Sequence, residues 1–172
     1  KIMSKDKKIL ILGVTGMLGH TLFRLFSKDA QMDVYATART GKGLSQWFAP
    51  ELLKKIIVGV DVDNFDTVVR ALEQVQPGTV INCVGLIKQK PAANDPLSAI
   101  TINAQLPHRI ARACLNTGAR LIHMSTDCVF SGGKGMYGEG DESDATDIYG
   151  RTKYLGEVSY PHCVTLRTSV IG

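Results

Sequence analysis

Six short, apolar, strand-prone runs alternate along this chain with segments whose apolar residues recur every three or four positions. The runs are residues 8–13, 33–38, 55–60, 79–84, 120–125 and 163–168. The clearest helical patterns between them are residues 17–28, 65–76 and 97–116. Strands apolar on both faces and separated by helices imply a parallel sheet covered on both sides, because a parallel connection needs a crossover long enough to hold a helix. Right-handed crossovers then make the default fold α/β, a Rossmann-type doubly wound parallel sheet of strand order 3-2-1-4-5-6.

Local signals punctuate this frame. Asp63 or Asn64 is suited to cap the helix after the third run. Asp95-Pro96 supplies a cap followed by proline in the first turn, and Gly118 stops the same helix. Pro107, inside the long pattern, predicts a kink. Residues 47–54 read as a short helix broken at Pro50.

The 172 residues amount to one domain, residues 8–172, with residues 1–7 reading as a linker remnant. A net charge of +4 is mild, and the charges are interspersed. The exceptions are a basic start (Lys5, Lys7, Lys8) and an acidic stretch from Glu139 to Asp147. That pattern speaks against a nucleic-acid polymer as partner. No stretch approaches the ~20 apolar residues of a membrane span, so no membrane partner is expected. The four cysteines lie far apart, with neither a paired-thiol motif nor metal-ligand spacing. No metal is therefore expected, and a reducing cytoplasm is the economical location.

In a doubly wound sheet, ligands gather at the carboxyl ends of the strands. The first run ends in Gly13-Val-Thr15-Gly16-Met17-Leu18-Gly19 and then a helix. Glycines at this spacing allow a tight turn, close approach of a pyrophosphate, and close helix–strand packing, while the helix N-terminus offers N–H groups to phosphate. In a chain with 17 glycines the spacing alone is weak, and its placement between strand and helix gives it force. The second run ends at Arg39, where a carboxylate would select NAD; an arginine there, with Lys42 behind it, suits the 2′-phosphate of NADP. Asp61-Val62 closes the third run, where Asp61 is either an acceptor for the adenine amino group or a helix-start residue. Cys83, Val84 and Gly85 close the fourth, small enough to let a cofactor lie across the sheet.

Tyr149 and Lys153 stand one helical turn apart on one face. A ketone that accepts hydride must also receive a proton, and a free phenol, with pKa ~10, is a sluggish acid near neutrality. A positive charge ~4 Å away favours phenolate by ~4 kcal/mol at an effective dielectric of ~20, enough to lower the pKa by about three units. Ser125, Thr126 and Asp127 end the fifth run, where a hydroxyl can reach a substrate carbonyl beside the phenol. Asn103 lies in the long helix.

Taken together and in order, Gly-x-x-Gly-x-x-Gly, Asn82–Gly85, Asn103, Ser125-Thr-Asp-Cys-Val-Phe130-Ser-Gly, Tyr149-Gly-x-x-Lys153 and Leu166-Arg-Thr-Ser169 resemble the extended short-chain dehydrogenase/reductases of the NAD-dependent epimerase/dehydratase superfamily. Within these the chain is most similar to the dTDP-4-dehydrorhamnose reductase group, over residues 8–172. The resemblance implies an NAD(P)H-dependent reductase of a nucleotide-linked 4-keto-sugar, with NADP preferred over NAD. Tyr149 would donate the proton, and Lys153 would bind the nicotinamide ribose and depress the phenol's pKa. Thr126 would hydrogen-bond the carbonyl, Asn103 would support the lysine and its water, and Ser125, Asp127 and Cys128 would face the substrate. Glu139 and Asp141 match a Glu-x-Asp ahead of the tyrosine.

Cys128 departs from the family's tyrosine and stands where sugar-nucleotide dehydratases carry a glutamate, which argues against dehydration. Family members continue for roughly another hundred residues that build a smaller substrate domain, so that domain is expected to be missing here. A homodimer is compatible with the resemblance. A sugar-nucleotide epimerase and a non-enzymatic regulatory subunit of the same fold are the alternatives.

Overall fold

Strand β1 (Lys8–Leu12) shows how the sheet is built. Leu10 and Leu12 face one apolar layer, Ile11 faces the other, and each is at most 1% exposed. The computed structural model describes residues 7–87 and 95–169. The remaining strands are β2 (Asp33–Ala38), β3 (Ile56–Val58), β4 (Thr79–Asn82), β5 (Arg120–Met124) and β6 (Cys163–Leu166). All pairings are parallel, in the order β3-β2-β1-β4-β5-β6. This is the doubly wound sheet that the sequence predicts. Residues 1–6 of the expected linker remnant lie outside the described residues.

Helices α1 (Met17–Phe26), α2 (Leu44–Trp47), α3 (Pro50–Leu53), α4 (Phe65–Val75), α5 (Pro96–Ala99), α6 (Leu106–Thr117) and α7 (Ile148–Leu155) cover the sheet. Leu10, Leu12, Val80 and Leu121 pack with Val68 and Leu72 of α4 and Ile110 and Cys114 of α6. On the other face Ile11, Ala36 and Ile81 pack with Phe23 of α1, Leu44 of α2 and Phe48. Full burial of a side chain such as Phe23 contributes about 1.5–3 kcal/mol.

Four predicted strands end early, at Leu12, Asn82, Met124 and Leu166, because the residues that follow turn away as loops at the carboxyl edge. The third run pairs only over Ile56–Val58, although the Val60 N–H still reaches the Ala38 carbonyl at 3.2 Å. Asp95 caps as expected, accepting from Ser98 N at 2.9 Å, and Gly118 ends α6 in the left-handed region at φ 66°.

Two expectations are corrected. Asn64 takes the cap position of α4, but its side chain bonds no helix N–H. Thr67 secures this turn instead, its hydroxyl accepting from Asp61 N at 2.9 Å and lying 2.8 Å from the Asp61 carbonyl. The long helix does not simply kink at Pro107. It widens into a π-helical segment, Ile100–Gln105, between α5 and α6. Pro107 has no N–H to give to the carbonyl of Asn103 four residues back, and the wider turn absorbs that lost bond. The carbonyl faces Gly156 so closely that a Cβ there would fall 1.9 Å from its oxygen.

Candidate active site

The loop after β1 is shaped by two contacts that admit no side chain. Gly13 has φ 89°, and a Cβ on it would lie 2.9 Å from Val84 Cγ2. A Cβ on Gly19 would lie 2.2 Å from the Gly13 carbonyl oxygen, so α1 presses directly on the loop. At Gly16 the nearest atom to such a Cβ is 3.6 Å away, which leaves its outer side free for a ligand. Helix α1 has no side-chain cap and no acidic residue in its first turn. The leading N–H groups of Met17, Leu18 and Gly19 are thus the donors that a phosphate would use.

One groove crosses the carboxyl edge of the sheet from this loop. It is lined by Gly13, Thr15 and Gly16, by Arg39 after β2, by Asp61 and Val62 after β3, and by Cys83, Val84 and Gly85 after β4. The structure therefore brings nine sequence-selected residues together. A glycine-rich turn, an uncapped helix start and a long groove fit an extended dinucleotide. Sequence reasoning does not single out Thr37, whose hydroxyl accepts from Gly13 N at 3.2 Å, or Ile102 and Leu86, which complete the wall. Asp61 lines the groove, and its carboxylate accepts from Asp63 N at 3.2 Å, two residues on in the turn ahead of α4.

At Gly85 the groove meets a second cluster. A Cβ on Gly85 would sit 3.5 Å from Asn103 Oδ1 and 3.7 Å from Lys153 Nζ. Helix α7, started by Asp147 accepting from Gly150 N at 2.9 Å, carries Tyr149 and Lys153. Gly150 seats it against the loop after β5, where a Cβ would fall 2.3 Å from the Cys128 carbonyl oxygen. Thr126 heads the 3₁₀ turn Asp127–Val129, its hydroxyl accepting from Cys128 N at 3.2 Å.

Lys153 is only 6% exposed and donates to the Met124 carbonyl at 2.8 Å. Burial lowers its pKa to about 8, with the charge of Glu157 acting in the opposite direction. The depression expected for Tyr149 does not occur. Burial raises its phenol above the usual 10, while the Thr126 hydroxyl pulls the other way. Lys153 directs its ammonium at a backbone carbonyl and is itself partly stripped of water, so it does little for the phenol.

Two more of the assigned residues are engaged within the chain. Ser125 gives its hydroxyl to Glu157 Oε1 at 2.8 Å. Asn103 flanks Gly85 together with Lys153. Its amide closes on the backbone of Leu86, accepting from N at 2.8 Å and donating to O at 3.3 Å. Asp127 and Cys128 do line a cavity next to Thr126, together with Phe130, Tyr137 and Arg167. Asp141 of the Glu-x-Asp pair serves its own loop, accepting from Gly138 N at 2.7 Å and pairing with Lys134.

A fully buried pair lies behind the cluster, and its second member, His123, carries no signal in the sequence. Asn82 Oδ1 accepts from Val84 N at 3.1 Å, leaving Nδ2 to donate to His123 Nδ1 at 3.1 Å, which fixes the imidazole proton on Nε2. Burial first, and the charge of Lys153 second, hold the His123 pKa down at about 3, so the ring is neutral. Among the described residues no group of three or more His, Cys, Asp or Glu could hold a metal ion, and no helix is long and apolar enough to cross a membrane.

Comparison with known proteins agrees with this geometry. The family model described as the RmlD substrate binding domain matches residues 7–171. A Mycobacterium tuberculosis (strain H37Rv) protein named dTDP-4-dehydrorhamnose reductase is 30% identical over 176 residues, covering 96% of this chain and 50% of its own. The methionine adenosyltransferase 2 subunit beta of Bos taurus is 26% identical over 152 residues, covering 88% and 42%. The crystal structure of a dTDP-4-dehydrorhamnose reductase from Bacillus anthracis in complex with NADP superposes with a TM-score of 0.74 at 25% identity, over 95% of this chain and 54% of that one. The chain spans about half the length of the curated relatives it matches. It belongs to the RmlD substrate-binding domain family.

Proposed function

We propose that residues 8–172 form the dinucleotide-binding domain of an NAD(P)H-dependent reductase acting on a keto group of a nucleotide-linked sugar, with NADPH preferred. The observation that carries this reading is the meeting of groove and cluster at Gly85, within 3.7 Å of Lys153 Nζ for any atom at a Cβ position there. A bound nicotinamide dinucleotide would supply hydride. The chain's own residues do the rest. The loop from Gly13 to Gly19 would hold the pyrophosphate, Arg39 a 2′-phosphate, and Lys153 the ribose. Tyr149 gives the proton to the carbonyl oxygen, and Thr126 orients that oxygen.

The Bacillus anthracis neighbour in complex with NADP supports the cofactor, and the reductase names of the relatives support the sugar-nucleotide class. The test is net oxidation of added NADPH by a nucleotide 4-keto-sugar, using the intact gene product. Stoichiometric turnover bears the reading out. Interconversion of sugar epimers without net oxidation would instead identify an epimerase. The resemblance to the methionine adenosyltransferase subunit gives a third outcome, cofactor binding with no turnover and a stable partner enzyme.

A further inference from the structure

His123 of β5 is a buried titratable group that the proposed chemistry leaves unused. It lies beside Asn82 of β4 in the parallel ladder, and both are 0% exposed. Neither lines the groove. Val84 does, and its backbone N–H has left the ladder to donate to Asn82 Oδ1 at 3.1 Å. Val84 Cγ2 also lies 2.9 Å from a Cβ position on Gly13, so Val84 is where the loop after β4 abuts the phosphate loop. Packing alone does not favour histidine at position 123. Its Nε2 is shielded from water and has no hydrogen-bond partner among the described residues, a cost that a leucine there would not incur. What histidine supplies and leucine lacks is the Nδ1 acceptor, 3.1 Å from Asn82 Nδ2.

We infer that His123 is a positioning residue for the dinucleotide groove: its Nδ1 holds the Asn82 amide in the orientation that fastens Val84 against the phosphate loop. The two ends of an amide have nearly the same shape, so packing does not choose between them. Hydrogen bonding does. The Val84 N–H is a donor only, so Oδ1 must face it, and a ring nitrogen without a proton accepts from the NH₂ end. Without that acceptor the buried NH₂ loses its partner, and turning the amide over would set NH₂ against the Val84 N–H. The low pKa of His123, about 3 through burial first and the charge of Lys153 second, agrees, because a proton on Nδ1 would abolish the acceptor. The inference rests on the dinucleotide reading of the groove and adds to it a residue, outside the groove, that sets its shape.

The test compares His123→Leu with His123→Asn in the intact gene product. Asparagine places Oδ1 where the ring has Nδ1, and its own NH₂ exchanges one buried unpaired donor for another. Both changes alter packing, so the affinity of the folded protein, not its stability, is the readout. In His123→Leu, calorimetric titration should show NADPH and NADH weakened alike, about 5- to 30-fold, since Val84 borders the part that the two cofactors share. Hydrogen exchange of the Val84 amide, followed by NMR without cofactor, should quicken at least ~5-fold. His123→Asn should match wild type in both measurements. His123→Met, apolar but flexible enough to fill the space, carries the same expectation as leucine where the leucine variant does not fold. Unchanged Val84 exchange or unchanged affinity in the folded apolar variant, or an equal loss in His123→Asn, would overturn the proposal and leave the dinucleotide reading standing. Quickened Val84 exchange in a protein whose wild type binds neither cofactor would support the hold on Val84 and sink the dinucleotide reading alone.

Discussion

Lys153 of α7 donates its ammonium to the carbonyl oxygen of Met124, the last residue of β5, across 2.8 Å. That bond joins the helix bearing the proposed acid to the strand whose loop carries Thr126, and it places a charge in a site only 6% exposed.

The burial of that charge sets a pH dependence. Lys153 titrates at about 8 in the folded chain and at its ordinary 10.5 when unfolded. Between these values the unfolded chain holds the extra proton, so this group's contribution to stability rises with pH. Measured as the difference between wild type and Lys153→Met, stability should climb by ~3 kcal/mol from pH 8 to 10.5. Taking the difference removes the opposite trend from the raised thiols of Cys83 and Cys114. A flat difference would mean the ammonium is better solvated than its position indicates.

The proton donor gives a second prediction. Tyr149→Phe should lower kcat at least ~100-fold and leave cofactor affinity nearly unchanged, the usual scale for a lost general acid. A tyrosinate absorbance titration, wild type minus Tyr149→Phe, should place the phenol above its usual 10. A midpoint near 7 would show that the charge of Lys153 dominates after all.

Cofactor choice is testable at Arg39, which lines the groove just past β2. If it grips a 2′-phosphate, Arg39→Ala should weaken NADPH by about 1.5–3 kcal/mol, roughly 10- to 150-fold, and spare NADH. Equal losses for the two cofactors in calorimetric titrations would assign Arg39 to the shared part of the molecule.

The fold was legible because two periodicities alternate cleanly, and β2 was placed to the residue from its pattern alone. The errors fall at the carboxyl edge. Gly13, Cys83 and Ser125 continue apolar runs in sequence but leave the ladder in space, since there the backbone serves the groove. Motif residues such as Gly13, Arg39 and Gly85 could be selected because their chemistry depends on strand position. The pairings that hold them could not. Ser125 to Glu157 spans 32 positions and Asn82 to His123 spans 41, and no local spacing encodes either. The expected fall in the tyrosine's pKa fails for a similar reason. Spacing placed Lys153 on the right face, but only tertiary packing shows that its ammonium goes to Met124.

Asn103 allows two roles to be separated by two substitutions. It is 1% exposed and grips Leu86 at both N and O, which fixes the end of the groove at Gly85. Asn103→Ala removes both partners from partly buried backbone groups, a loss of about 1–2 kcal/mol, and the freed loop should weaken NADPH binding by roughly 5- to 30-fold. Asn103→Asp keeps an acceptor for Leu86 N but sets a carboxylate against Leu86 O, so binding should weaken here too. Only the aspartate adds a negative charge beside the Gly85 position that Lys153 Nζ also flanks. Opposite charge favours the ammonium, so Asn103→Asp should move the Lys153 pKa upward from about 8, while Asn103→Ala leaves it nearly in place. Side-chain ¹⁵N NMR of Lys153 and calorimetric titration of NADPH read the two effects independently. Normal NADPH affinity in Asn103→Ala would show that the loop is held without the amide. An unmoved lysine in Asn103→Asp would show that the two side chains do not share one electrostatic environment.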